Sequence, residues 1–309
     1  MSTDQSLSNR WVVLLLLLSI AIFNYADRFL LAGLIAPIKA EFGVSDGFMG
    51  LLLGPTFAVL YTSFAIPIAM LADRVSRVKI IATGCLIWSL FMILSGLATG
   101  PWMLTAARLG VGIGEAAFQA PAYSLIAAYF PIAQRGRALA IMALATYCGQ
   151  MLGFRVGPAI AEATDWRAAF MLFGGIGLAL VAIAWAIIRE PRRMETPIAR
   201  PRLLPLAARL LRLTSYRGMM LGLALGVMSG LAFGTWGAAY FARSYGMSVA
   251  DAGAMFGSAV VLPGMAGAVL FGLLAEKGDC SERVMLIPGV PRSSSHLSRL
   301  ARASSISSN

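Results

Sequence analysis

The chain has 309 residues, of which 59% are hydrophobic and only 13% charged, and its formal net charge is +11. A soluble domain carries about 25% charged residues, so this share, with a mean hydropathy of +0.78, excludes a soluble enzyme, a disordered chain and a coiled coil. The basic residues fall between apolar runs, as they do beside a membrane with an anionic inner leaflet, which argues against nucleic acid as a partner.

A membrane-crossing helix needs about 20 apolar residues. In chain order such runs lie at 11–35, 48–71, 80–98, 102–129, 138–161, 168–188, 218–240 and 252–275, which predicts an all-α, multi-pass membrane protein. The first run is too long for the core of a signal peptide and no small-residue cleavage site follows it, so it is expected to stay as a helix. Three cysteines, Cys85, Cys148 and Cys280, give no disulfide framework. His296 is the lone histidine and sits in a polar tail, so neither a metal site nor a catalytic triad is expected, and no cofactor. No phosphate-cradling G-x-x-x-x-G-K-[ST] loop occurs, which disfavours an ATP-driven pump. An intramembrane enzyme is disfavoured too, since no Ser–His pair, H-E-x-x-H or facing pair of aspartates is present.

The connecting loops alternate in charge. Asp73, Arg74, Arg77 and Lys79 fill the second loop, Arg135 and Arg137 the fourth, and eight arginines between 189 and 217 the sixth. The odd loops hold one basic residue each at most, such as Lys39, Arg167 and Arg243. The positive-inside rule therefore predicts a cytoplasmic N-terminus, in an inner (plasma) membrane.

A repeat accompanies this pattern. Gly43, Ser45, Gly50, Leu71, Ala72, Asp73 and Arg74 return as Gly246, Ser248, Gly253, Leu274, Ala275, Glu276 and Lys277, each displaced by 203 residues. Span 2 then corresponds to span 8, and the repeating unit is six helices. Two parallel six-helix halves are a transporter plan with the substrate site at their interface. The expected organisation is a six-helix half at 1–193, a basic central loop at 194–215, the first two helices of a second half at 216–278, and a polar tail at 279–309. Doubling the repeat predicts about 400 residues. The Ser/Arg-rich tail reads either as the product of a shifted frame or early stop, or as a natural regulatory tail.

The loop after span 2 reads Ala69-Met70-Leu71-Ala72-Asp73-Arg74-Val75-Ser76-Arg77-Val78-Lys79. It resembles the signature loop of the major facilitator superfamily, G-x-L-A-D-R-x-G-R-[RK], with Ala69 and Ser76 at its glycines. Arg108-Leu109-Gly110-Val111-Gly112-Ile113-Gly114-Glu115 in span 4 is similar to that family's R-x-x-x-G-x-G element. Asn24-Tyr25-Ala26-Asp27-Arg28, Pro121-Ala122-Tyr123-Ser124 and Trp166-Arg167-Ala168-Ala169-Phe170 look like its Spinster-type branch. The resemblance covers about residues 11–277. It implies the major facilitator fold, with a complete first half and about two helices of the second. It also implies a proton-coupled secondary transporter of an amphiphilic or organic-anion substrate, lysolipid- or sphingolipid-like. In that family the signature loop is a gate whose acid braces the facing half of the molecule. Its residues here are Asp73, Arg74, Arg77 and Lys79, with Glu276 and Lys277 in the repeat.

Five charged residues fall inside spans: Asp27, Arg28, Arg108, Glu115 and Arg155. Each costs roughly 2.5–3.5 kcal/mol at the bilayer centre on insertion scales, so each is expected to pair or to face a cavity. Asp27 and Arg28 point about 100° apart and pair poorly with each other. Arg108, Gly112 and Glu115 share one face of span 4, two turns or about 10 Å from end to end. The expected pairing is Arg28 with Glu115, leaving Asp27 free to titrate, and a purely structural ion pair is the competing reading. Gly149, Gly153 and Gly157 form a small-residue face suited to close packing, with Arg155 on the opposite face, paired locally or snorkelling. Among Tyr25, Phe57, Tyr61, Phe118, Tyr123, Tyr147, Trp236 and Tyr240, Tyr25 and Trp236 are singled out as pathway candidates. The alternative function is a truncated fragment that does not transport. Spans 7 and 8 carry no charge at 218–240 or 252–275, so a charged inner face without counter-charges, and hence an unstable or self-associating product, is expected on that reading.

Overall fold

The computed structural model of the protein describes residues 10–191 and 203–277, except for side chains at 203–204, 206–207 and 268–277. Every regular element among those residues is a helix. Arg10–Gly33 (α1) is the first span, and after Leu34 the chain continues as Ile35–Phe42 (α2). Ser45 then caps Asp46–Leu51 (α3), its Oγ accepting from the Phe48 N–H at 3.1 Å. A π-helical turn at Leu52–Thr56 leads into Phe57–Ala72 (α4). Pro55 lies in that turn and has no N–H to offer, so the regular ladder widens there.

Arg77–Gly96 (α5) is the third span. The expected fourth span is two helices, Pro101–Ala116 (α6) and Gln119–Tyr129 (α7). Between them the Ala117 and Phe118 N–H groups donate to Gly114 and Glu115, three residues back, and the α-helical ladder is interrupted at this tighter turn. For that reason seven continuous helices among the described residues, rather than eight, are long and apolar enough to cross a membrane. Ile132–Ala163 (α8), Trp166–Ile187 (α9), Leu203–Arg212 (α10), Thr214–Tyr245 (α11) and Val249–Lys277 (α12) complete the order. By compactness the chain divides into Met1–Met265 and Ala266–Asn309, and the described part of the second is the last stretch of α12. The expected tail at 279–309 and residues 194–202 of the central loop lie outside the described residues.

Tight helix contacts position α1. A Cβ at Gly149 of α8 would lie 2.5 Å from the Ile22 carbonyl oxygen, and one at Gly153 would lie 2.5 Å from that of Ala26. Only glycine fits that approach, and in a bilayer such packing takes over the role that burial from water plays elsewhere. The glycine face read from the sequence is therefore the α1–α8 seam, with Arg155 exposed on the other side of α8. Leu14, Leu17, Ile20, Leu30 and Leu31 of α1, with Trp88 of α5 and Phe170 and Phe173 of α9, are fully buried.

The repeat is visible in the backbone. Gly43 and Gly246, 203 residues apart, are the positive-φ glycines among the described residues, at 64° and 62°. Each ends a helix in the left-handed conformation, and each is followed two residues later by a capping serine. Ser248 accepts from the Asp251 N–H at 3.0 Å, as Ser45 does from Phe48.

Candidate functional site

The bundle has a basic end, where α4 meets α5, α7 meets α8 and α9 terminates, and an opposite end. In the last third of α1, Asp27 Oδ1 lies 2.6 Å from Arg108 Nη1 of α6, with exposures of 0% and 2%. Arg28, one residue on, turns toward Glu115, and its Nε and Nη2 both reach Glu115 Oε2 at 2.7 Å. The Glu115 side chain is fully buried while that of Arg28 is 29% exposed. The Arg28–Glu115 pairing is thus present, but Asp27 is not free: Arg108, on the same face of α6, takes it. The reason lies in the two-turn spacing on α6, which offers α1 one charge of each sign, and desolvation drives each charge to its complement. The expected deficit of counter-charges fails for the same reason, since the first six spans supply them internally.

These four groups sum to zero charge, yet they are not saturated. Asp27 Oδ2, Glu115 Oε1 and Arg108 Nε are buried and have no hydrogen-bond partner. The open side of the cluster is Arg28. Its guanidinium carbon lies 4.8 Å from the ring centres of Phe57 and Tyr61 and 5.5 Å from that of Tyr25, so three aromatic faces enclose the cation. Gln119, at the start of α7, organises two of these walls. Its Oε1 accepts from the Tyr61 hydroxyl at 3.1 Å, and its Nε2 donates to the hydroxyls of Tyr25 and Tyr123, each at 3.3 Å. Beside this network a cleft of about 280 Å³, its open mouth included, is lined by Asn24, Tyr25, Phe118, Gln119, Tyr123 and Met142 among others.

The gating-loop residues separate. Arg77 is buried, donating from Nε to Glu190 Oε1 at 2.7 Å and from Nη1 to the carbonyl and hydroxyl of Ser124, both at 3.1 Å. Glu190 Oε2 accepts from the Ser76 hydroxyl at 2.9 Å and the Val78 N–H at 3.1 Å. Burial raises the Glu190 carboxyl, but the Val78 N–H, Arg77 and Ser76 outweigh it and hold the group below the usual carboxylate range. The Tyr129 hydroxyl donates to the Arg189 carbonyl beside it. Asp73, Arg74 and Lys79 are exposed. The side chains of Glu276 and Lys277 lie outside the described residues.

At the opposite end, α11 and α12 meet the first six spans. Asp46 accepts from Arg243 Nη2 at 2.7 Å and Nη1 at 3.0 Å, and it also pairs with Lys39. Glu162 Oε1 accepts from the Ala250 N–H at 2.7 Å, capping the start of α12 from α8. Glu41 takes Arg167 in a two-pronged pair and the Trp166 Nε1–H at 2.7 Å. Arg167 first, then Trp166, hold its carboxyl below the ordinary value. Toward the basic end, by contrast, residues 217–233 of α11 are exposed. Trp236 packs over Gly50 of α3, whereas Phe57 and Tyr61 join Tyr25 around Arg28.

Sequence reasoning passed over Gln119 and Asp46, and it placed Glu190 only among the charges of the sixth loop and Glu162 only on a helix face shared with Arg155. A signal existed for Gln119, an amide one helical turn beyond Glu115 in an apolar run. Apart from Lys39 beside Asp46, the partners of the others lie 88 to 197 residues away, and no local pattern announces them.

Comparison with known proteins follows the same lines. The sequence profile of the Major Facilitator Superfamily matches residues 17–290, past the point where the polar tail is expected to begin. A major-facilitator-type efflux pump of Mycolicibacterium smegmatis is 29% identical over 272 residues, covering 86% of this chain and 62% of the pump. Human protein spinster homolog 1 is 33% identical over 185 residues, covering 59% of this chain and 35% of that protein. A solved bacterial homolog of the human lysosomal transporter Spinster, inward-facing and occupied, superposes with a TM-score of 0.78 at 30% identity. It covers 92% of this chain and 64% of its own. The chain thus spans less than two thirds of the length of these relatives.

Proposed function

The chain belongs to the Major Facilitator Superfamily, and on that premise we propose that it is a proton-coupled secondary transporter of an amphiphilic or organic-anion substrate. The observation that carries this reading is the neutral four-charge cluster whose one part-exposed cation, Arg28, is ringed by aromatic faces. Arg28 is the group an anionic headgroup reaches first, and Glu115 is the group it competes with. Taking Arg28 from Glu115 leaves a buried carboxylate without its counter-charge, which costs several kcal/mol. A proton on Glu115 removes that cost. Proton and anion therefore bind best together, because either alone leaves a net charge in a low-dielectric site. The aromatic walls suit the hydrocarbon part of an amphiphile, and the likeness to Spinster proteins supports a lysolipid- or sphingolipid-like class.

The loop charges support a cytoplasmic basic end in an inner (plasma) membrane. On that orientation the Asp46–Arg243 and Glu162–Ala250 contacts close the outer side, and the exposed half of α11 borders an opening toward the cytoplasm. Reconstitution into liposomes tests the whole reading. Saturable uptake of a lysophospholipid or organic anion, stimulated by a proton gradient, is expected, with Glu115→Gln losing the pH dependence and Arg28→Gln losing uptake. Absence of saturable uptake, or uptake indifferent to both the gradient and Arg28→Gln, overturns it.

A further inference from the structure

The turn between α2 and α3 carries an ion pair that its counterpart in the repeat lacks. Lys39 lies in the last turn of α2 and Asp46 opens α3, and the two side chains meet across the left-handed turn at Gly43. The counterpart turn at Gly246 has a matching φ and the same capping serine, yet the positions displaced by 203 residues are Ala242 and Val249. The turn therefore forms without the pair, and Lys39 has another use. Asp46 Oδ1 accepts from Lys39 Nζ and also from Arg243 Nη2 at 2.7 Å, while Oδ2 accepts from Arg243 Nη1 at 3.0 Å. One carboxylate oxygen thus holds two cations, one from the first six spans and one from α11. Two hydrogen bonds end to end span less than about 6 Å, so the two positive nitrogens repel at close range.

We propose that Lys39 is a release group for the outer closure: it competes with Arg243 for Asp46, and it keeps that carboxylate paired when Arg243 departs. This rests on the reading of that end as the outer closure of a transporter. A group shifts an equilibrium only through a difference in its interactions with the two states. Lys39 has such a difference. With α11 docked it faces Arg243 across a shared oxygen, and with α11 withdrawn it has Asp46 to itself. Its own pairing with Asp46 spans one short turn of the same chain segment, so it does not depend on α11. Arg243, 48% exposed while docked, returns to water at little cost. Relief of repulsion and continued pairing of Asp46 both favour opening. A lysine that only oriented Asp46 toward Arg243 would have the opposite sign, and would favour the docked state.

Pulsed electron-spin distance measurements separate the two signs without any substrate. The full chain, with Cys85, Cys148 and Cys280 replaced by alanine, carries spin labels at Thr99→Cys and Tyr245→Cys, one on each side of the contact and both exposed, in lipid nanodiscs. The ratio of long (open) to short (docked) distances is read. Arg243→Gln is expected to raise that ratio by up to about fivefold, the ceiling for an exposed pair. Lys39→Gln is expected to lower it about twofold, Lys39→Arg to keep it, and Lys39→Gln to have no effect once Arg243→Gln is present. In about 1 M salt, where the Debye length is about 3 Å, all these variants should converge on one ratio. A ratio unchanged by Arg243→Gln overturns the closure, and the release group with it. If Arg243→Gln raises the ratio while Lys39→Gln raises it too or leaves it alone, the closure stands and Lys39 is not its release group.

Discussion

Asp27 and Arg108 touch at 2.6 Å with almost no access to solvent, and that makes them unequal to Arg28 and Glu115 as targets for mutation. Removing one charge from a buried pair costs about 3–5 kcal/mol, because the survivor stays buried without compensation, whereas removing both is often close to neutral. Asp27→Asn is therefore expected to lower thermal stability in detergent, and Asp27→Asn with Arg108→Gln to recover most of the loss. Equal stability of the single variant and the parent would contradict the buried pair. Arg28→Gln should destabilise less, since that side chain is 29% exposed and water shares its charge. Helical spacing on α1 and α6 made the four charges legible in the sequence, and it named one pair correctly. The second pair was not legible, because spacing on α6 says which residues share a face but not which side chain on α1 faces each.

Among the elements, the long straight helices were legible because apolar length is a property of a single stretch of chain. The break at Ala117 and Phe118 was not, since the residues there are as apolar as their neighbours and the interruption reflects hydrogen bonding three residues back. The Arg28 enclosure draws Tyr25 from α1 and Phe57 and Tyr61 from α4, so only packing brings it together. The junction of α4 and α5 with the end of α9 gives a pH-dependent expectation. Glu190 is held below its ordinary value, so its contribution is complete above the unfolded carboxylate value of about 4.3 and is lost as pH falls through the lower folded value. Glu190→Gln should speed hydrogen exchange of the Val78 amide about fivefold at neutral pH, the worth of about 1 kcal/mol for a hydrogen bond. That ratio should shrink toward one under strongly acid conditions, where the wild-type carboxyl is itself protonated. A ratio of one at neutral pH would show that Glu190 does not hold the loop.

For the whole molecule, alternation of loop charge gives the two ends different chemistry: arginines with a carboxylate latch at one, and at the other an ion pair linking α3 to α11 and a carboxylate-to-backbone bond linking α8 to α12. A thiol reagent added from outside intact cells is expected to label a cysteine placed at 100 and to spare one placed at 196. The reverse pattern would invert the proposed orientation. Contacts between the first six spans and α11 at the opposite end use an exposed ion pair, Asp46 with Arg243, and exposed pairs of this kind are worth at most about 1 kcal/mol. The internal balance of Asp27, Arg28, Arg108 and Glu115 reaches beyond the finished molecule. Chains fold from the N-terminal end as they are made, and all four of these charges leave the ribosome before α8 begins. Each finds its counterpart within that early segment. The growing protein can thus be released sideways into lipid from the insertion machinery with these four charges already matched, without waiting for the later helices to be synthesised.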